Sequence, residues 1–256
     1  MTVTASSINT PLEALLDRTA CLVPYVAVLT SNGTWTKPAH ALWVEMFLHN
    51  AGQNGASGTS SGGGGGGAAG TRMRRLFPAA VVPASLAVTV PATVATRASA
   101  INGAFNVTCP GTSTPPPAVT TGSGTAGGTF VGDAYGVENG APGGSGGTAY
   151  VTAGLAGQAS PHAGYCAESG LGGAGGNYPG EHGHGGLAGL GYGAGGGGMG
   201  GETGGGAGGG GGGGGGSGYG TTALATNGTS DGSRVGGTGA PGIVIITTWC
   251  GVDLRT

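Results

Sequence analysis

The sequence is short of charge. Of its 256 residues only 7% are charged, Lys37 is the single lysine, and the net charge is −2. No basic stripe is present to neutralise phosphates, which excludes a nucleic-acid binder. Aromatic residues make up 5% of the chain, too few for a large core of conventional side chains. Cys21, Cys109, Cys166 and Cys250 stand far apart, with neither zinc nor redox spacing. They read as thiols of a protein made in a reducing cytosol. No apolar stretch reaches the about 20 residues that a membrane span needs, and residues 1–10 lack the pattern of a secretory signal. Catalytic motifs are missing as well. Residues 122–127 match GxGxxG, but with no strand before them and no helix after, so the match is compositional. A Walker loop would need a second lysine, and no GxSxG elbow, HExxH pair or carboxylate pair with a base stands out. The expectation is a protein that is not an enzyme and carries no cofactor.

What the sequence has instead is glycine, 66 residues of 256, against a usual share of about 7%. Runs occur at 62–67, 195–198 and 208–216, and glycine dominates 122–242. A disordered linker is expected to be poor in apolar residues or rich in charge; this chain is 38% hydrophobic and is neither. The glycine is therefore expected to build structure.

Segments with strand character bracket it. Residues 25–31, Tyr-Val-Ala-Val-Leu-Thr-Ser, precede Asn32-Gly33 and Thr34-Trp35-Thr36, which predicts a hairpin near 25–36. Residues 41–48 alternate, with Leu42, Val44, Met46 and Leu48 expected to face a core and Trp43, Glu45 and Phe47 to face away. Residues 85–94 read as a further strand, with Pro91 marking an edge or break, and 104–108 as a short one. Residues 243–249, Ile-Val-Ile-Ile-Thr-Thr-Trp, close the chain as a buried strand. Between them, Arg72, Arg74 and Arg75 read as a solvated face, the alternative being contact with an anionic surface such as lipopolysaccharide phosphate, and Pro115-Pro116-Pro117 as a stiff connection. At the start, Asn9 or Thr10 caps a short helix with Pro11 at its first position and Leu12, Leu15 and Leu16 on one face. Two turns of helix need a partner to be stable; that partner is either another protein or the chain's own domain.

Collagen is excluded because the glycines are contiguous rather than every third residue, and a calcium β-roll because its aspartates are missing. The remaining ordered form is an array of polyglycine-II helices, three residues per turn, bonded laterally through their backbones. Every buried N–H and C=O must then be paired, and the interior is expected to be glycine only. Tyr135, Tyr150, Tyr165, Tyr178, Tyr192 and Tyr219 follow one another at gaps of 15, 15, 13, 14 and 27. A quasi-repeat of about 14 residues fits one up-and-down pair of rods, each about 20 Å long. The fold class is thus mostly β and irregular: a small antiparallel sheet base with strands near 25–36, 41–48, 85–94 and 243–249, and a polyglycine array joined by loops.

The stretch Ser31-Asn32-Gly33-Thr34-Trp35-Thr36-Lys37-Pro38, then Trp43-Val44-Glu45, Leu76-Phe77-Pro78-Ala79-Ala80 and Ala87-Val88-Thr89-Val90, closing with Gly239-Ala240-Pro241-Gly242-Ile243-Val244-Ile245, resembles the glycine-rich domain of bacteriophage tail proteins. Some members are receptor-binding tips of tail fibres and others are minor tail proteins. The resemblance implies an attachment segment at 1–27, a tail domain at 28–249 and a C-terminal tail at 250–256. Within the tail domain, 28–50, 71–110 and 240–249 form the β base, and 51–70 and 122–239 the polyglycine array. It also implies that loops between rods touch the host: 129–139, 158–169, 177–184 and 217–234. Tyr135, His162, Tyr165, Tyr178, His182, His184 and Tyr219 become the receptor-contact candidates, since aromatic rings present area at small entropic cost. His182-Gly183-His184 has the form of a metal-binding pair, but exposed loop histidines are the expected reading and no metal is assigned. The implied partners are a host-surface glycan or protein, and other tail proteins through 1–27, with room for a homo-oligomer. The implied location is the virion tail. A structural tail protein without receptor contact is the alternative. An ice-binding polyglycine protein would need flat threonine faces and disulfides, and the dispersed threonines argue against it.

Overall fold

The computed structural model of the chain describes residues 24–57, 63–110, 112–114, 129–131, 137–138, 145, 186–198, 222–229 and 235–251. Among these the regular elements are strands and a single 3-10 turn, Ala79–Val81. The strands are β1 (Tyr25–Leu29), β2 (Gly33–Thr36), β3 (Ala41–His49), β4 (Arg72–Pro78), β5 (Ser85–Thr89), β6 (Ser99–Asn102), β7 (Phe105–Thr108), β8 (Thr112–Thr114), β9 (Thr129–Val131), β10 (Val137–Glu138) and β11 (Ile243–Cys250). They form a five-stranded sheet in the order β1-β11-β3-β4-β10, a four-stranded sheet β2-β5-β6-β7 and a separate β8-β9 pair. Every pairing is antiparallel. The mostly β and irregular class is as expected, but the base is two facing sheets rather than one.

The expected hairpin at 25–36 does not form. β1 pairs with the closing strand β11, and β2 pairs with β5 in the other sheet. Asn32-Gly33 carries the chain from one sheet to the other, and the Asn32 side-chain oxygen accepts the Val90 N–H at 2.8 Å. The reason is burial. Leu29 beside Val244 and Trp35 beside Leu86 each join a different wall of the core, which a local hairpin could not arrange.

The core lies between the two sheets. Val44, Met46, Leu48, Val244 and Ile246 line one wall, and Trp35, Leu86, Val88, Ala100 and Val107 the other. Phe77 and Phe105 meet across it edge to face, with centroids 5.4 Å apart. Leu42, expected in this core, is exposed. It lies at the start of β3 beside Gly251, next to the bulge that shifts the register between Trp249 and Cys250. The 85–94 strand ends at Thr89, short of Pro91. Lys37, from the motif that carried the resemblance, is structural: its ammonium donates to the carbonyls of Ala79 and Val82 at 2.9 and 2.7 Å. It thereby holds the 3-10 turn that connects β4 to β5.

The glycine-rich segments grow directly out of the five-stranded sheet. β3 runs on into 50–57, 63–71 runs into β4, and 235–242 runs into β11. The register crosses the boundary unchanged. His49 pairs with Arg72 in the sheet; beyond it, Asn50 N–H donates to Thr71, Gln53 to Ala68 and Ala56 to Gly65. Likewise His49 pairs with Ile243, and Gly52 N–H then donates to Ala240 and Gly55 to Gly237. What changes is the spacing of the bonds, which now fall on every third residue of a segment. A third direction also opens. Segment 186–198 lies against these segments, with Gly70 N–H donating to Gly193, Gly67 to Gly196, Ala240 to Ala194 and Gly237 to Gly197. Segment 222–229 adds a further layer through Gly197 donating to Thr226 and Thr226 to Thr238.

Glycine permits this closeness. A Cβ on Gly52, Gly67 or Gly196 would collide with the backbone carbonyls of Ala194, Gln53 and Gly237, respectively. The interior is nevertheless not glycine alone, as had been expected. Ala51, Ala68, Ala69, Ala194 and Ala240 are buried there, so a methyl is accommodated at these positions. Gln53 is buried too, its side-chain oxygen accepting the Ala68 N–H at 3.2 Å.

Candidate functional site

All seven receptor-contact candidates, Tyr135, His162, Tyr165, Tyr178, His182, His184 and Tyr219, lie outside the described residues. Of the tyrosine series only Tyr192 is described. It stands at the turn where 186–190 doubles back on 193–198, flanked by Gly191 and Gly193, both at positive φ. Glycine takes that conformation without the Cβ penalty of other residues. The turn is closed by Gly189 N–H donating to Gly195 and Gly186 N–H to Gly198. The other members of the series lie outside the described residues.

Two other places stand out. The first is the seam between strands and glycine segments. His49 is buried and packs on the backbone of Gly193, with its Nδ1 2.8 Å from the Asn50 carbonyl oxygen. Desolvation holds its pKa down, from 6.5 to about 4; the Asn50 bond works against that and the nearby Arg72 charge adds to it. Arg72, expected on a solvated face, is buried, because it pairs with His49 at the boundary rather than out on the sheet. Asn50 donates to Thr71 Oγ1 at 2.8 Å and accepts the Ala98 N–H at 2.9 Å. Thr71 Oγ1 donates to the Pro110 carbonyl at 2.9 Å. This polar knot ties the glycine segments to the segments flanking β6 and β7 in the second sheet. Its side chains His49, Asn50, Thr71 and Arg72 are all buried.

The second is the outer face of the five-stranded sheet. An antiparallel sheet with one solvated face is expected to be polar there. The other sheet comes nearer to this, its outward rows being Thr34–Ala87–Ile101–Asn106 and Thr36–Ser85. The five-stranded sheet does not. Its outward rows are Val28–Ile245–Phe47–Arg74, Val26–Thr247–Glu45–Leu76 and Trp249–Trp43–Pro78. Relative exposure is 50% for Val26, 52% for Val28, 46% for Trp43, 56% for Leu76 and 37% for Trp249. On this face Arg74 Nε lies 3.4 Å from Glu45 Oε1, which matches these two charges locally. Nearer the glycine segments the same face is covered, with Ile243, His49 and Arg72 buried. The apolar patch therefore occupies the end of the sheet farthest from the glycine.

Pattern reading placed Trp43 on the side of β3 facing away from the core, and that is where it lies. The patch itself was not legible, because it needs β1, β11, β3 and β4 side by side. Among the described residues no three metal-ligating side chains gather. Compared with known protein families and with curated proteins, the chain matches none.

Proposed function

We propose that the chain is a bacteriophage tail component, a receptor-binding adhesin or tail-tip protein that contacts the host cell surface through loops on a polyglycine scaffold. The observation that carries this is the three-residue recurrence of lateral bonds among 50–57, 63–71, 186–198, 222–229 and 235–242. A polyglycine-II rod has three residues per turn and no internal hydrogen bond, so neighbours in several directions satisfy its backbone. Segments fixed on several sides give the loops that join them fixed anchor points, which suits a receptor-binding platform. The loops that carry Tyr135, His162, Tyr165, Tyr178, His182, His184 and Tyr219 are the contacts in this reading, and residues 1–27 join the protein to other tail proteins. No catalysis is assigned.

The test is binding of the purified full-length protein to host cells, with Tyr165→Ala and Tyr178→Ala as loop variants. Saturable binding that weakens in the variants supports adhesion. Absence of binding by the intact protein overturns it. The scaffold is tested separately: fast amide exchange throughout 195–216 overturns a laterally bonded array.

A second reading, a structural tail protein without receptor contact, draws on the same lateral bonding of the glycine segments, which builds a rigid body whether or not its loops meet a receptor. It is the reading to adopt if the protein assembles into tails yet fails to bind cells.

A further inference from the structure

The outer face of the five-stranded sheet is an apolar surface left open by the described chain, and its size limits what can cover it. Five side chains, each about half exposed, offer roughly 400 Å², since a whole aromatic side chain carries only about 150–250 Å². A stable complex buries about 800 Å² per partner. The patch is thus too small for a second copy of the chain and suits one short amphipathic segment. Its charges point the same way: Glu45 and Arg74 already pair with each other, so the occupant needs no charge where it touches.

Such a segment precedes the sheet in the same chain. Residues 1–23 lie outside the described residues, and the chain enters the sheet at Tyr25, level with Thr248. That is the end of the sheet carrying Trp249 and Trp43. Within 1–23, Leu12, Leu15 and Leu16 have the i, i+3, i+4 spacing that lines one helix face, behind Asn9, Thr10 and Pro11 as start signals. An eight-residue helix is about 12 Å long, and four strands at about 4.8 Å spacing span about 14 Å. The residues from 17 to 24 reach up to about 26 Å when extended, enough to return the segment over the face.

We infer that residues 1–23 of this chain fold back, seating Leu12, Leu15 and Leu16 on the patch formed by Val26, Val28, Trp43, Leu76 and Trp249. Any contact these residues make with another protein then uses their polar side. The inference stands apart from the tail reading, because its test needs neither host cells nor virions.

The experiment compares the full-length protein with the triple variant Leu12→Asp/Leu15→Asp/Leu16→Asp by acrylamide quenching of tryptophan emission. Trp35 is buried between the sheets and reports whether the fold is kept. Seating predicts that Trp43 and Trp249 are protected in the wild type and become accessible in the variant. Equal quenching in the two proteins, whether high or low, overturns it. A reciprocal variant, Leu76→Gln, changes the receiving face and leaves the segment intact. Exchange of amides 12–20 should then speed up by at least about tenfold, and unchanged exchange overturns the inference. Protection that appears only as the protein dimerises in sedimentation assigns the patch to a second copy and also overturns it.

Discussion

In the sandwich, backbone groups bond within each sheet and side chains fill the space between sheets. In the glycine segments the backbone bonds in several directions and there is almost nothing left to fill. Both regimes share the same chain and the same register, and they change over at His49, Arg72 and Ile243. Side chains such as Met46 and Leu86 keep stacked sheets about 10 Å apart. Remove them, and a third segment approaches until its own amides bond. The difference concerns tolerance. Apolar packing is non-directional and can relax around a lost methyl. A lattice of backbone bonds has no slack, because its neighbours are carbonyl groups rather than rotatable side chains.

Four measurements sharpen or break that contrast. Gly196→Val puts a branched side chain where even a Cβ would meet the Gly237 carbonyl. It should cost more than about 4 kcal/mol in urea unfolding, or prevent folding; a cost near 1 kcal/mol would show the glycine segments to be loosely held. The boundary is tested by pH. His49 is buried with its pKa lowered to about 4, while an unfolded histidine takes up its proton near 6.5. The unfolded state binds more protons in between, so stability is full above pH 6.5 and falls as pH drops toward 4. The loss is about 3 kcal/mol, and His49→Gln should flatten this part of the urea midpoint profile. Third, Lys37→Met removes both bonds to the Ala79 and Val82 carbonyls and should cost about 2 kcal/mol, read as a lower melting temperature. Smallest is Ile246→Val, one methyl from the fully buried sandwich wall. It should cost about 1 kcal/mol. If its effect equals that of the glycine substitution, the two halves do not differ in tolerance.

The strands β3 and β11 were legible because their patterns are long: alternation over 41–48 and an unbroken apolar run at 243–249. β4 was not, since Arg72, Arg74 and Arg75 look like a solvated surface. Yet Arg74 pairs with Glu45 and lies over the Phe47 ring, while Arg72 is buried at the boundary. Asn32-Gly33 misled for a related reason. The dipeptide favours a tight turn locally, but core burial sent its two flanks to different sheets. Of the candidate surface only Trp43 was placed on the correct side of its strand. Val26, Leu76 and Trp249 join it through pairings far apart in sequence.

The sequence by itself determined that glycine is structural here and that strands bracket it. Those conclusions follow from composition and local periodicity, which need no knowledge of what lies next to what. Tertiary structure alone decided that β1 joins the last strand, that one register runs from the sheet into the glycine, and that alanine and glutamine are buried beside glycine. It also left one sheet with an apolar outer face. Each depends on which backbones come within hydrogen-bonding distance, and that is set by the collective demand to pair every buried N–H and C=O, which no single segment expresses.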